Sequence, residues 1–261
     1  MAILQSRLTF APWADPRHRR LPGIQPLDPG DWLSMDDAFA AQMAERDRLI
    51  AAAPQAVMAM LPGAGAAVAE LLDRVVGEVA RLPGYEVGQA AVLRPDGLRV
   101  PLDPARPLAT LGRLAQQDFC VMERRGAAHV LTAAVLCFPA GWTLAEKLGR
   151  PLIGIHAPVA VYDATLAARV QRLFDAIRPE APLWRANVLA YATPELFAPR
   201  TEADPRPQPA GHGRFIRSER QCLVKLPRSG AVVFSIHTAV VARTALSPAE
   251  AAAFAEMHPD A

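Results

Sequence analysis

His156 stands between Ile155 and Ala157-Pro158, an imidazole in a run that otherwise reads as buried. A neutral imidazole is a good iron ligand when its second ring nitrogen donates to a carbonyl or carboxylate. A haem site asks for little more: an apolar cavity, and a cation or two for the propionates. Lys147 and Arg150 lie just upstream, among Leu148, Leu152, Ile153 and Ile155. The same residues also suit a hydrogen-bonded core histidine and a solvated helix end. Spacing alone does not choose between them.

A second polar constellation runs from Arg217 to Arg228. Strand alternation puts Arg220, Cys222 and Val224 on one face and Glu219, Gln221 and Leu223 on the other. Such a strand either has one wet face or aims polar groups into a pocket. His237, between Ile236 and Thr238, carries the same ambiguity, as does Arg185 beside Trp184.

Other chemistries find weaker footing. Neither G-x-S-x-G nor H-E-x-x-H occurs. Gly63-Ala64-Gly65 begins like a dinucleotide fingerprint but lacks the third glycine and the βαβ setting. Asp118, Glu123 and Glu146 are dispersed. The three cysteines, Cys120, Cys137 and Cys222, are far apart in apolar runs. They form no zinc or iron–sulfur pattern and suit a cytoplasmic protein. A net charge of +2 is too small to argue for nucleic acid, and Arg17-His18-Arg19-Arg20 reads as a solvated loop. No apolar run reaches about 18 residues, and Met1–Phe10 lacks a signal-peptide core, so no membrane association is expected.

The elements that must position these groups follow from periodicity. Residues 1–31 read as an irregular arm, after which Asp31 or Ser34 is placed to cap a helix carrying Phe39, Met43, Arg46 and Ile50. Pro54 breaks that pattern or starts a new helix. A second helix, Ala66–Arg81, turns Val68, Leu71, Leu72, Val75 and Val79 to one side. After Tyr85 come a hairpin on Arg94-Pro95-Asp96-Gly97, a short helix at Leu108–Gln116, and strands at Asp118–Glu123 and His129–Phe138. A helical section at Leu144–Leu148 leads to His156. Asp163–Ile177 is an amphipathic helix with Asp163 as its cap. Strands at Trp184–Tyr191, Phe215–Leu226 and Ala231–Val241 precede a short helix, Ser247–Met257. Helices and strands that do not alternate argue α+β. The layout of strand pair, helical section, long helix and three-strand meander is that of a PAS-like antiparallel sheet. N-terminal helices (1–84) would pack on this 85–261 domain.

Taken together, several segments resemble the haem-binding α subunit of haem-dependent oxidative N-demethylase, the dimethylamine monooxygenase. They are Leu21–Leu27 with Asp31-Trp32-Leu33 and Asp36; Leu111–Leu114 with Gln117–Cys120; Cys137-Phe138-Pro139 with Gly141-Trp142; Leu144–Gly149; Ile155–Val159; Trp184–Asn187; Glu219-Arg220-Gln221; and Leu226–Gly230. The resemblance covers roughly Leu21 to Thr238. It implies haem b, with His156 as the iron ligand and Lys147 and Arg150 at the propionates. It also implies dioxygen and a small secondary alkylamine on the other side of the haem, polarised by Arg220, Glu219 and His237. Electrons would come from a separate reductase carrying flavin and iron–sulfur centres. The sequence departs from the family at Phe39, Ala160-Val161, Val188, His237 and Ala239. Those departures bear on the substrate. A haem or gas sensor without turnover, or a structural relative with a filled cavity, is the competing expectation.

Overall fold

The computed structural model describes residues 2–15, 23–155, 164–204 and 213–257. The arm carries a two-residue strand, β1 (Gln25–Pro26). The helical period then produces α1 (Phe39–Ala52), which buries Phe39, Met43, Arg46 and Ile50. Neither Asp31 nor Ser34 caps it. The N-cap is Ala38, and Asp36 Oδ1 accepts the Ala38 N–H at 3.0 Å. Pro54 starts a helix, α2 (Pro54–Val57), sitting in a first turn where its missing N–H costs nothing. This short helix delivers the chain into β2 (Met58–Met60), a strand not foreseen from the sequence. α3 (Gly65–Val79) buries Val68, Leu71, Val75 and Val79.

A three-stranded antiparallel sheet follows: β3 (Glu86–Val87), β4 (Ala91–Leu93) and β5 (Arg99–Pro101). Its turn closes at Gly97, whose φ of 82° suits glycine. α4 (Pro107–Leu114) leads into the main sheet.

The main sheet has seven strands, ordered β1-β8-β9-β10-β6-β7-β2, every pair antiparallel. β6 (Asp118–Arg125) and β7 (Ala128–Val135) form a hairpin. β8 (Leu183–Tyr191), β9 (Phe215–Lys225) and β10 (Val232–Ala242) form a meander whose last strand returns to β6. Between hairpin and meander run α5 (Leu144–Lys147), α6 (Leu152–Ile155) and α7 (Ala164–Ala176). The unforeseen strands β1 and β2 are the two edges, and their shortness limits the unpaired backbone they present. α8 (Pro248–Met257) sets Phe254 edge-on to Trp13 at 5.2 Å, tying the C-terminal helix to the arm. The architecture is α+β, as the element order predicts.

Alternation along the strands splits the core in two. On the N-terminal face Phe119, Val121, Val135, Val224 and Val233 meet Trp32, Met43, Ile50, Leu71 and Leu111. Residues from both sides of position 84 therefore share one core. On the opposite side, the α7 face, Cys120, Met122, Leu131, Leu223 and Ile236 meet Leu144, Leu152, Phe174 and Ile177. Among the described residues no helix is long and apolar enough to cross a membrane.

Candidate functional site

Directly paired residues of neighbouring antiparallel strands share a face. Across β8, β9 and β10 the α7 face therefore reads, rung by rung, Leu183–Leu223–Phe234, Arg185–Gln221–Ile236, Asn187–Glu219–Thr238 and Leu189–Arg217–Val240. The N-terminal face reads Trp184–Cys222–Ser235 and then Ala186–Arg220–His237. Arg220 and His237 thus share a rung on one side of the sheet, and Glu219 lies on the other. The three residues expected around one pocket do not converge.

The polar groups of the N-terminal face are tied to one another, to the arm and to the segment that leads from it into α1. Gln117 Nε2 donates to Ser34 O at 2.8 Å and meets His237 Nδ1 at 3.1 Å. An amide nitrogen only donates, so Nδ1 is the acceptor and Nε2–H donates to Asp36 Oδ2 at 2.8 Å. Asp36 also accepts from Gln5 and Gln116. Burial alone would raise the Asp36 carboxyl, but these hydrogen bonds outweigh it and hold the pKa below its ordinary value. Arg220 donates to Asp31 Oδ2 at 2.9 Å and to Trp32 O at 3.2 Å, and its guanidinium lies 5.4 Å from the Trp184 ring centroid. Deeper on this side, fully buried Arg46 pairs with Asp118 at 2.6 Å and donates to the carbonyls of Gly112, Gln116 and Gln117. Asp118 accepts the N–H groups of Cys137 and Phe138, joining the hairpin's start to its end. Arg46 follows Met43 on the inward stripe of α1, where a lone arginine among apolar residues was a legible sign of a buried partner.

The α7 face is different. Arg217 donates through Nε to Glu219 Oε1 at 3.0 Å, and through its other nitrogens to Leu196 O, Phe138 O and Thr238 Oγ1. Gln221 Nε2 donates to Glu219 Oε2 at 3.0 Å. Glu219 and Gln221 are 7% and 8% exposed, so this cluster sits in the protein rather than on it. Two of its atoms, Arg185 Nε and Gln221 Oε1, are buried and have no hydrogen-bond partner among the described residues. Native proteins leave few such atoms, and each calls for an explanation. Burial lowers the Arg185 pKa against the opposing pull of Glu219.

The expected propionate cations lie at the helical end of this face. Lys147 is buried, and its Nζ donates to Ile155 O at 2.9 Å and to Glu202 Oε1 at 2.7 Å. Arg150 reaches the same oxygen at 2.7 Å. Glu202 is held in turn by its N–H to Glu146. Sequence reasoning missed Glu202, because 55 residues separate it from Lys147. His156, Asp163 and the Arg17–Arg20 cluster lie outside the described residues, though Ile155 brings the chain to the α7 face one residue before His156. A groove of about 390 Å³ lies elsewhere, between α1, β5 and α4, lined by Asp47, Ile50, Val100, Arg106 and Arg113.

This face brings apolar, cationic and unpartnered polar groups together. It has apolar contacts in Leu152, Ile155, Phe174 and Ile236, two cations already committed to a carboxylate, and polar atoms lacking partners. Comparison with known protein families matches residues 23–258 to the family described as haem-dependent oxidative N-demethylase, alpha subunit-like.

Proposed function

The chain belongs to the haem-dependent oxidative N-demethylase, alpha subunit-like, family, and from that premise we propose that it is the haem-binding subunit of an N-demethylating monooxygenase. Its substrate is a small N-methylated amine, of which dimethylamine is the reference case. His156 is the iron ligand, and Lys147 and Arg150 serve the propionates by exchanging Glu202 for them. The haem, when bound, supplies the dioxygen and one-electron chemistry.

The chain's own residues position and polarise. Arg217, anchored on two backbone carbonyls, fixes Glu219. Each oxygen of that carboxylate accepts one hydrogen bond and keeps a free lone-pair site. Glu219 can therefore accept an amine N–H without releasing Arg217 or Gln221. Arg220 and His237 act as positioning residues, holding the arm against the back of the sheet that carries Glu219. The strand order supports a PAS-like reading: a hairpin, a helical section, and a meander whose last strand docks on the hairpin's first. The cysteines are free, buried and dispersed, so a partner chain brings the electrons.

The observation that carries this reading is the buried polar cluster with unpartnered atoms, on the face reached by the residue preceding His156. Adding haemin to the purified chain tests it. A Soret band that His156→Ala abolishes is expected, with formaldehyde released from an N-methylamine when electrons are supplied. A chain that takes up no haemin overturns the proposal. Haem that binds gas but never turns over an amine returns the sensor reading.

A further inference from the structure

The two unpartnered atoms on the α7 face belong to one rung. Arg185 and Gln221 are directly paired on β8 and β9, which sets their Cβ atoms about 5 Å apart. Arg185 Nε is a donor without an acceptor, and Gln221 Oε1 is an acceptor without a donor. The Gln221 amide cannot resolve this by flipping. Its Nε2 is committed to Glu219 Oε2 at 3.0 Å, and a flip would set Oε1 against that carboxylate.

The charges point the same way. Arg185 and Arg217 contribute two positive charges to these rungs and Glu219 one negative, and Arg217 holds that negative charge at 3.0 Å. Arg185 is left as a partly buried guanidinium that makes no ion pair among the described residues and shares the pull of Glu219 with Arg217. An uncompensated cation repels an ammonium and attracts a carboxylate, and arginine's planar fork suits a carboxylate in particular.

We infer that Arg185 and Gln221 form a carboxylate subsite, and that the amine bound here is a small N-methylated amino acid rather than a bare dialkylamine. Its carboxylate accepts from Arg185 Nε, and its amine N–H donates to Gln221 Oε1. An α-amino acid carries both groups on one carbon, matching a donor and an acceptor on one rung. A haem propionate is the other source of a carboxylate, but it has no N–H and would leave Gln221 Oε1 unpaired. The inference rests on the proposed function for the reaction and on the rung alone for the binding.

Calorimetric titration of the full chain with N-methylglycine and with dimethylammonium chloride tests it. N-methylglycine is expected to bind at least tenfold more tightly than dimethylammonium. Arg185→Leu should weaken N-methylglycine at least tenfold. Gln221→Met keeps the length of the side chain, removes the proposed acceptor for the amine and should weaken N-methylglycine at least fivefold. Dimethylammonium preferred by the wild-type chain, or N-methylglycine bound equally by Arg185→Leu, overturns the inference.

Repeating the titration after loading with haemin separates the two carboxylate sources. N-methylglycine binding that survives loading supports the amino acid. Binding lost on loading, with haemin uptake weakened in Arg185→Leu, assigns the subsite to a propionate and overturns the amino acid as ligand. Failure to take up haemin would overturn the proposed function and leave the N-methylglycine result standing, so the two failures are distinguishable.

Discussion

The two faces of the meander use similar residues to opposite ends. On the N-terminal face, Asp36, His237, Gln117, Arg220 and Arg46 form a network whose donors meet acceptors contributed by the arm, by the segment before α1 and by the strands themselves. On the α7 face, Arg217, Glu219 and Gln221 are as deeply buried, yet among the described residues the cluster keeps an unpaired donor and an unpaired acceptor. A saturated network holds structure, because each member is worth more to folding than its removal would return. An unsaturated one costs stability, and persists where something outside the chain completes it. The contrast explains why one rung, Arg220 with His237, reads as a clamp. The neighbouring Arg185 and Gln221 read as a site.

Stability measurements can break this contrast. The largest effect belongs to Arg46→Met, which leaves Asp118 buried without its cation. A loss of about 3–5 kcal/mol in denaturant unfolding is expected, and a loss below 1 kcal/mol would show that the clamp is not structural. Asp36→Asn comes next, because it turns an acceptor toward two amides and a histidine into a partial donor. It should cost about 1–3 kcal/mol.

The Asp36 variant also carries a pH signature. The folded-state pKa of Asp36 is depressed below the ordinary 3.8. Its contribution is therefore fully present above that value and is lost as pH falls through the depressed one. The wild-type chain should lose stability in acid below 3.8, and Asp36→Asn should flatten that part of the profile. An unchanged acid limb would count against the network.

The contrast is sharpest in the third variant. Arg185→Leu removes a half-satisfied cation from the α7 face, so stability should hold or rise by about 0.5–2 kcal/mol. A loss comparable to that of Asp36→Asn would place both faces in the same class.

The smallest effect is a reporter of both faces. Cys120 belongs to the α7-face core and Cys222 to the other. Burial pushes the Cys120 thiol far up, Cys137 up to about 12 and Cys222 up to about 11. At pH 8 a thiol-reactive disulfide should find all three silent in the native chain and reactive on unfolding. Fast labelling of Cys120 alone would show that the α7 face opens.

Much of the fold was legible in the sequence, because period and turn chemistry are local. The inward stripe of α1, the Arg94–Gly97 turn and the three meander strands follow from spacing, and the element order led to α+β. Even the split between Arg220 and Glu219 was written in their odd and even positions. What alternation could not supply was the role of each face, since that depends on which distant segment covers it. Asp36 reaches His237 across 201 positions, and Lys147 finds Glu202 across 55. The edge strands β1 and β2 were equally hidden, being two or three residues long and defined by their partners rather than their own pattern.

The sequence by itself determined the family, the α+β order and the faces on which residues stand, because backbone periodicity and motif spacing are carried along the chain. Only the tertiary structure decided which polar groups are spoken for. Hydrogen-bond satisfaction is a property of three-dimensional neighbours, and the same arginine is a clamp or a binding group according to whether an acceptor has been folded against it.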